Sequence, residues 1–208
     1  MLAIRNNSMV VEKYLTLATE SQAEFKDRGS KFLAFAYPIL DVDDVKKAVK
    51  KLKEIHPKAV HFCFAYRLGI DGNNYRANDD GEPSGSAGKP ILAQIDSAGL
   101  TNVCVIVVRY WGGVLLGVPG LIQAYKNSAE VAISQNQLVE KYIQFQVVIE
   151  CNYTQLDYVM RIVKKFDAEI LNNDMSLFCS LKVSVPLKFK SEFLAQFENL
   201  FDVKLNLI

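Results

Sequence analysis

Val103-Cys104-Val105-Ile106-Val107-Val108 is an unbroken apolar run, closed by Asn102 on one side and Arg109 on the other. Successive side chains of a strand point to opposite faces, so a run that is apolar at every position is apolar on both faces. That marks a strand in the middle of a sheet. Around it, residues 14–18, 23–26 and 31–37 read as further strands, with Asp27-Arg28-Gly29-Ser30 as a turn. Asp41 caps a helix whose stripe is Val42, Val45, Ala48, Val49, Leu52 and Ile55, and Pro57 ends it. Its Lys46, Lys47, Lys50, Lys51 and Lys53 lie opposite that stripe and read as a solvated face, with a nucleic-acid patch as the alternative. Residues 59–68 are a strand and 69–88 a long loop, and Pro90 belongs to the first turn of a short helix reaching Ile95. Gly117-Val118-Pro119-Gly120 opens a helix carrying Leu121, Ile122, Ala124, Tyr125, Ala129 and Ile133.

The C-terminal part has a plainer pattern. Phe145, Val147, Ile149 and Cys151 alternate with polar residues as a half-buried strand. Thr154 caps a helix with Leu156, Val159, Met160 and Val163 on one face. A short strand over 168–171 is followed by Asn172-Asn173-Asp174 as a turn, and the alternation then resumes over 177–185 until Pro186. A helix over 191–200 and a strand over 203–207 close the chain. The order β-α-β-β-α-β is the ferredoxin-like plan. The fold class is therefore α+β, with an N-terminal domain over residues 1–138 and a ferredoxin-like domain over 139–208. On the open face of that second sheet Phe178 is the one aromatic candidate, which argues against an RNA-recognition module stacking several bases.

Bulk properties narrow the function classes. Residues 1–139 carry 16 basic and 14 acidic groups and residues 140–208 carry 8 and 9, so neither part is a polycation that binds nucleic acid through charge alone. No apolar run approaches the roughly 20 residues of a membrane helix. Residues 1–8 lack the apolar block of a secretory leader and read as a frayed extension, or Met9 as an alternative start, so a cytoplasmic protein is expected. Cys63, Cys104, Cys151 and Cys179 stand singly in apolar runs, as buried free thiols do.

Two segments carry the chemistry. Asp79-Asp80-Gly81-Glu82-Pro83-Ser84-Gly85-Ser86-Ala87-Gly88-Lys89-Pro90 is too polar and too glycine-rich to build core. Arg109-Tyr110-Trp111-Gly112-Gly113 follows the central strand directly. Neither has the spacing of a phosphate loop or a dinucleotide fingerprint, and Ser84 and Ser86 lack the flanking glycines of a nucleophile elbow. Tyr75 and Arg76 stand where a calcium loop needs a ligand and a glycine. An arginine ending a buried strand beside a diglycine corner can present a guanidinium and backbone N–H groups together, which is anion-site chemistry. Arg109, Tyr110, Gly112, Gly113 and Lys89 are therefore the ligand- or anion-binding candidates. Asp79, Asp80, Glu82, Ser84 and Ser86 form the rim, and His61, Arg67 and Arg76 the support. The competing expectation is architectural: acids and arginines pin the loop to the sheet.

These segments, with Ala59-Val60-His61-Phe62-Cys63-Phe64-Ala65-Tyr66-Arg67, resemble the IMPACT (YigZ) family over nearly the whole chain, as a bacterial-type two-domain member. The resemblance implies an N-terminal domain like the second domain of a small-subunit ribosomal protein and like domain IV of elongation factor G. It also implies a C-terminal domain like another ferredoxin-like domain of that factor. It implies translation-linked regulation, with RNA, the ribosome or a translation factor as partner and no established reaction. Eukaryotic relatives restrain a starvation-responsive translation kinase through an additional N-terminal domain not present here, so that partner does not carry over. Leu115 and Gln123 stand where family members commonly have a lysine and an arginine, and Pro119 where they have a glycine, which takes two positive charges from the surface near Arg109. The expectation is a non-enzymatic regulatory protein with no cofactor and no catalytic or metal-binding residues. The alternatives are a metal-assisted hydrolase or phosphoryl-handling enzyme using Asp79, Asp80 and Glu82, and a protein–protein adaptor.

Overall fold

A computed structural model describes residues 12–198 and 200–208; the segment 1–8 discussed above lies outside them. The chain divides into two compact units, residues 14–141, and residues 142–208 together with Glu12 and Lys13.

The first unit runs β1 (Lys13–Leu17), β2 (Ser21–Asp27), β3 (Ser30–Pro38), α1 (Val42–Ile55), β4 (His61–Leu68), β5 (Asn74–Asn78), α2 (Gly88–Ser97), β6 (Val103–Tyr110), α3 (Gly117–Ser134) and β7 (Leu138–Tyr142). β1 pairs with β7, and the main sheet has the order β2-β3-β6-β4-β5. The apolar run is its middle strand, buried along its whole length up to Arg109. Val103, Val105 and Val107 enter one core with Ile91 and Ile95 of α2 and Leu121, Tyr125 and Ala129 of α3. Cys104, Ile106 and Val108 enter a second core, on the opposite side, with Val45 and Leu52 of α1. Alternation along one strand thus specifies a helix layer on each face.

Local chemistry sets the element ends. Arg28 and Gly29 both have positive φ (44° and 81°), the requirement of the two-residue turn whose twist matches the β2–β3 hairpin. The Asp41 side chain accepts from the Asp44 N–H as the cap of α1, whose first turn carries Asp43 and Asp44 and whose last carries Lys53.

One expected loop is corrected here. Residues 69–88 are not continuous loop: β5 pairs antiparallel with β4 through Arg67↔Tyr75 and Ala65↔Ala77. An exposed edge strand needs no apolar face, so β5 carries no alternation to detect. Ile122, among the apolar residues α3 carries, is exposed.

The second unit runs β8 (Gln144–Cys151), α4 (Leu156–Lys165), β9 (Glu169–Met175), β10 (Cys179–Pro186), α5 (Lys190–Ala195) and β11 (Val203–Leu207). The sheet order is β11-β8-β10-β9, antiparallel throughout. Val147, Ile149, Leu181 and Val183 pack with Val159, Ile162, Val163 and Phe193. Asn172-Asn173-Asp174 is not a turn but part of β9, an edge strand exposed at every position, and the reversal falls at Ser176–Phe178. Thr154 does not cap α4: a 3-10 turn, Tyr153–Gln155, leads in without a side-chain cap, and Ile162 rather than Met160 lies on the buried face. α5 stops at Ala195, short of the expected end at 200.

Candidate functional site

The acidic loop and the diglycine corner meet at the end of β6. Antiparallel register sets Arg109 opposite Phe32 of β3 and His61 of β4. Its guanidinium turns inward: Nη1 donates to Glu82 Oε1 at 2.6 Å, with side-chain exposures of 7% and 3%. Tyr125 of α3 donates its hydroxyl to the same Glu82 oxygen at 2.8 Å. The guanidinium also lies over the Phe32 ring, 5.5 Å from its centroid. Ser30 Oγ lies 3.5 Å from Arg109 Nη2 and accepts from the Gly112 N–H at 3.2 Å. A buried carboxylate and a buried arginine thus neutralise each other beneath the loop, each holding a different strand or helix in register.

The anion-binding candidates lie in different surroundings. Arg109 is inside the protein with Glu82 as its counter-ion, and the Gly112 N–H is engaged by Ser30. An incoming phosphate would have to displace a buried carboxylate at a desolvation cost of several kcal/mol per ion. Nor do Arg67 and Arg76 hold the loop acids. Arg67 donates to Asp96 Oδ1 at 2.7 Å and to the Gly72 carbonyl at 2.6 Å, and Arg76 has no ion-pair partner among the described residues. Tyr110 hydrogen-bonds His56 Nδ1 at 3.0 Å. Gly113, Lys89 and Ser84 are exposed. Buried Ser86 donates to the Pro83 carbonyl at 2.6 Å.

The three loop acids have three separate tasks. Asp79 accepts backbone N–H groups of Gly85, Ala87 and Gly88 at 2.9, 3.0 and 2.8 Å, closing the loop onto the start of α2. It does so from outside the helix, which explains why α2 has no capping side chain at Ala87. Asp80, at φ 41°, accepts from the Phe62 N–H at 2.7 Å, and its carbonyl accepts from His61 Nδ1 at 2.8 Å, which places the imidazole proton on Nδ1. Glu82 belongs to Arg109. Among the described residues no cluster of three His, Cys, Asp or Glu has metal-site geometry. Burial pushes the Cys63 thiol up, and burial with Cys63 and Glu82 nearby pushes the Tyr125 phenol up, so both keep their protons.

Asp79 gives a pH prediction. Burial raises its pKa, but the Gly85, Gly88 and Ala87 N–H groups outweigh this and hold it below the usual aspartate value. A depressed folded-state pKa contributes stability above the unfolded pKa, near 4, that is lost as pH falls through the folded value. Asp79→Asn should therefore lower stability by about 1–3 kcal/mol at pH 7, with the gap to the parent closing below pH ~4. Urea unfolding from pH 7 to 2.5 checks this, and a pH-independent gap would count against it.

This corner also exposes apolar side chains, beside exposed Arg28 and Lys89. Trp111 is 59% and Leu115 85% exposed, and Val114, Val118 and Ile122 are exposed beside them in sequence. Val118 and Ile122, four apart on α3, share one helix face. Sequence reasoning missed Ser30 and Tyr125 as members of the cluster. Tyr125 carried a signal, since a tyrosine on a buried helix stripe needs a partner for its hydroxyl. Ser30 carried none.

Comparison with known proteins agrees with these segments. The family model described as the Impact N-terminal domain matches residues 28–133. The chain is 32% identical over 188 residues to "IMPACT family member YigZ" of Escherichia coli strain K12, covering 89% of this chain and 92% of that protein. It is 32% identical to "IMPACT family member YvyE" of Bacillus subtilis strain 168, covering 71% of this chain and 68% of that one. To "Protein IMPACT" of Rattus norvegicus it is 36% identical over 124 residues, 37% of that protein. A solved structure titled "Crystal structure of an hypothetical protein" superposes with TM-score 0.76 at 32% identity, over 96% of this chain and 98% of that one. With the family model spanning the acidic loop, the buried Arg109 and the diglycine corner, and a full-length relative at this identity, the chain belongs to the IMPACT family.

Proposed function

We propose that this is a non-enzymatic, cytoplasmic regulatory protein of translation that works by contact. Its partner is a protein of the translation apparatus, a ribosomal protein or a translation factor, seated on the Trp111–Ile122 segment. The observation that carries the reading is the inversion at the motif corner: the Arg109 and Glu82 charges are internal, while Trp111 and Leu115 are exposed. Exposed apolar clusters anchored by an aromatic side chain suit protein partners, whereas a phosphate backbone needs exposed cations. Leu115 and Gln123, where the family resemblance implies a lysine and an arginine, move this chain further in that direction. The fold reading belongs to the same proposal: a first unit like domain IV of elongation factor G and a ferredoxin-like second unit, supported for the latter by the sheet order β11-β8-β10-β9.

The test is sedimentation of tagged protein with ribosomal particles, with and without nuclease. Trp111→Ala with Leu115→Glu should reduce co-sedimentation at least ten-fold, as expected for loss of a contact worth ~2 kcal/mol or more, with an unchanged circular dichroism spectrum. Co-sedimentation that survives the double substitution but vanishes with nuclease would replace this reading by direct RNA contact.

A further inference from the structure

A second surface of the first unit, away in sequence from the Trp111–Ile122 segment, lies between α1 and the β4–β5 edge. A groove of about 520 Å³ there has a floor of Val42, Val45, Val49, Phe64 and Tyr66. That volume suits a small molecule rather than an extended chain. Its rim is cationic: Lys46, Lys50 and Lys53 from α1 and Arg76 from β5, against a single carboxylate, Glu54. Lys46 is held by Asp43 at 2.7 Å and Lys53 stands 3.8 Å from Asp80. Lys50 on α1 and Arg76 on β5 both line the groove and have no ion-pair partner among the described residues. Three of the five lysines that sequence patterning assigns to a merely solvated face thus border an apolar depression.

We propose that this groove binds a small anionic amphiphile, a medium-chain alkyl carboxylate, with its hydrocarbon chain along the valines and Phe64 and its carboxylate between Lys50 and Arg76. The floor selects the body of the ligand. The Tyr66 hydroxyl is the sole uncharged polar side-chain group in the lining, so a nucleobase would bury several donors and acceptors without partners. The rim selects the head, because a carboxylate meets two unpaired cations there.

The experiment titrates octanoate into the full chain, following amide shifts by NMR and heat by calorimetry, with butyrate as head without body and octanol as body without head. Octanoate should perturb amides of α1 and β5, with butyrate and octanol each at least ten-fold weaker. Arg76→Glu and the milder Arg76→Gln should both weaken octanoate, the former by about ten-fold, the scale of one charge-assisted contact. Val49→Trp, which fills the floor, should abolish binding while the Trp111 surface keeps its activity in the sedimentation assay. The proposal is overturned if octanoate leaves α1 and β5 unperturbed or binds Arg76→Glu equally well. It is equally overturned if a short single-stranded oligonucleotide, and not octanoate, shifts these amides in a way that Val49→Trp does not affect.

Discussion

Arg109→Ala should lower the stability of the first unit by about 3–5 kcal/mol, the cost of leaving one member of a buried ion pair unpaired. The residue removed is a cation with its side chain 7% exposed; the residue left behind is the Glu82 carboxylate, 3% exposed, with the Tyr125 hydroxyl as its remaining donor. Loss of the stacking on Phe32 and of packing at the end of β6 acts in the same direction. The double substitution Glu82→Gln with Arg109→Met should recover much of the loss, because it removes both charges and leaves apolar volume where the guanidinium lay. Urea unfolding followed by circular dichroism, with amide exchange read on β4 and β6, measures both. An Arg109→Ala loss under ~1 kcal/mol, the scale of a surface ion pair, would mean the pair is not buried as described.

The second large effect separates two adjacent glycines. A Cβ on Gly112 would stand 1.9 Å from the Gly29 carbonyl carbon and 2.2 Å from the Ser30 nitrogen, both backbone atoms of the β2–β3 turn. No rotamer relieves that contact, so Gly112→Ala should cost at or above the upper end of the ~1–3 kcal/mol range for overpacking. It should also break the Gly112 N–H bond to Ser30 Oγ. A Cβ on Gly113 meets nothing within 4 Å, but its φ of 82° disfavours other residues, so Gly113→Ala should cost only about 1–2 kcal/mol. The ordering is the test. Equal losses would mean that close approach to the turn is not what requires Gly112. Because this contact fixes the backbone next to Trp111, Gly112→Ala should weaken partner binding as well as stability.

Together these expectations tie the family's characteristic motifs into the architecture. Glu82, Arg109, Tyr125 and Ser30 tie the acidic loop, β6, α3 and the β2–β3 turn to one another, and Asp79 and Asp80 tie the same loop to α2 and β4. What that framework presents to solvent is a short apolar segment, and presenting it in one fixed shape is a sufficient reason for so many internal polar contacts.

Several of these features were legible in the residues. The run from Val103 to Val108 specified a central strand, Asp41 the start of α1 and Arg28-Gly29 a hairpin turn, because each depends on properties of a few neighbouring residues: alternation, a capping oxygen, a permitted positive φ. β5 and the full length of β9 were not legible. Edge strands exposed at nearly every position carry no apolar period, and polar Asn172-Asn173-Asp174 reads the same in a turn as on a sheet edge. The sequence by itself determined the chemistry available at the motif corner: one arginine, one lysine, three acids, five glycines and a tryptophan in two nearby segments. Only the tertiary structure decided which of them face inward. Pairing Arg109 with Glu82, 27 positions away, depends on the register of β6 against its neighbours and the path of the loop over it, and burial then converts a candidate receptor for external anions into an internal ion pair.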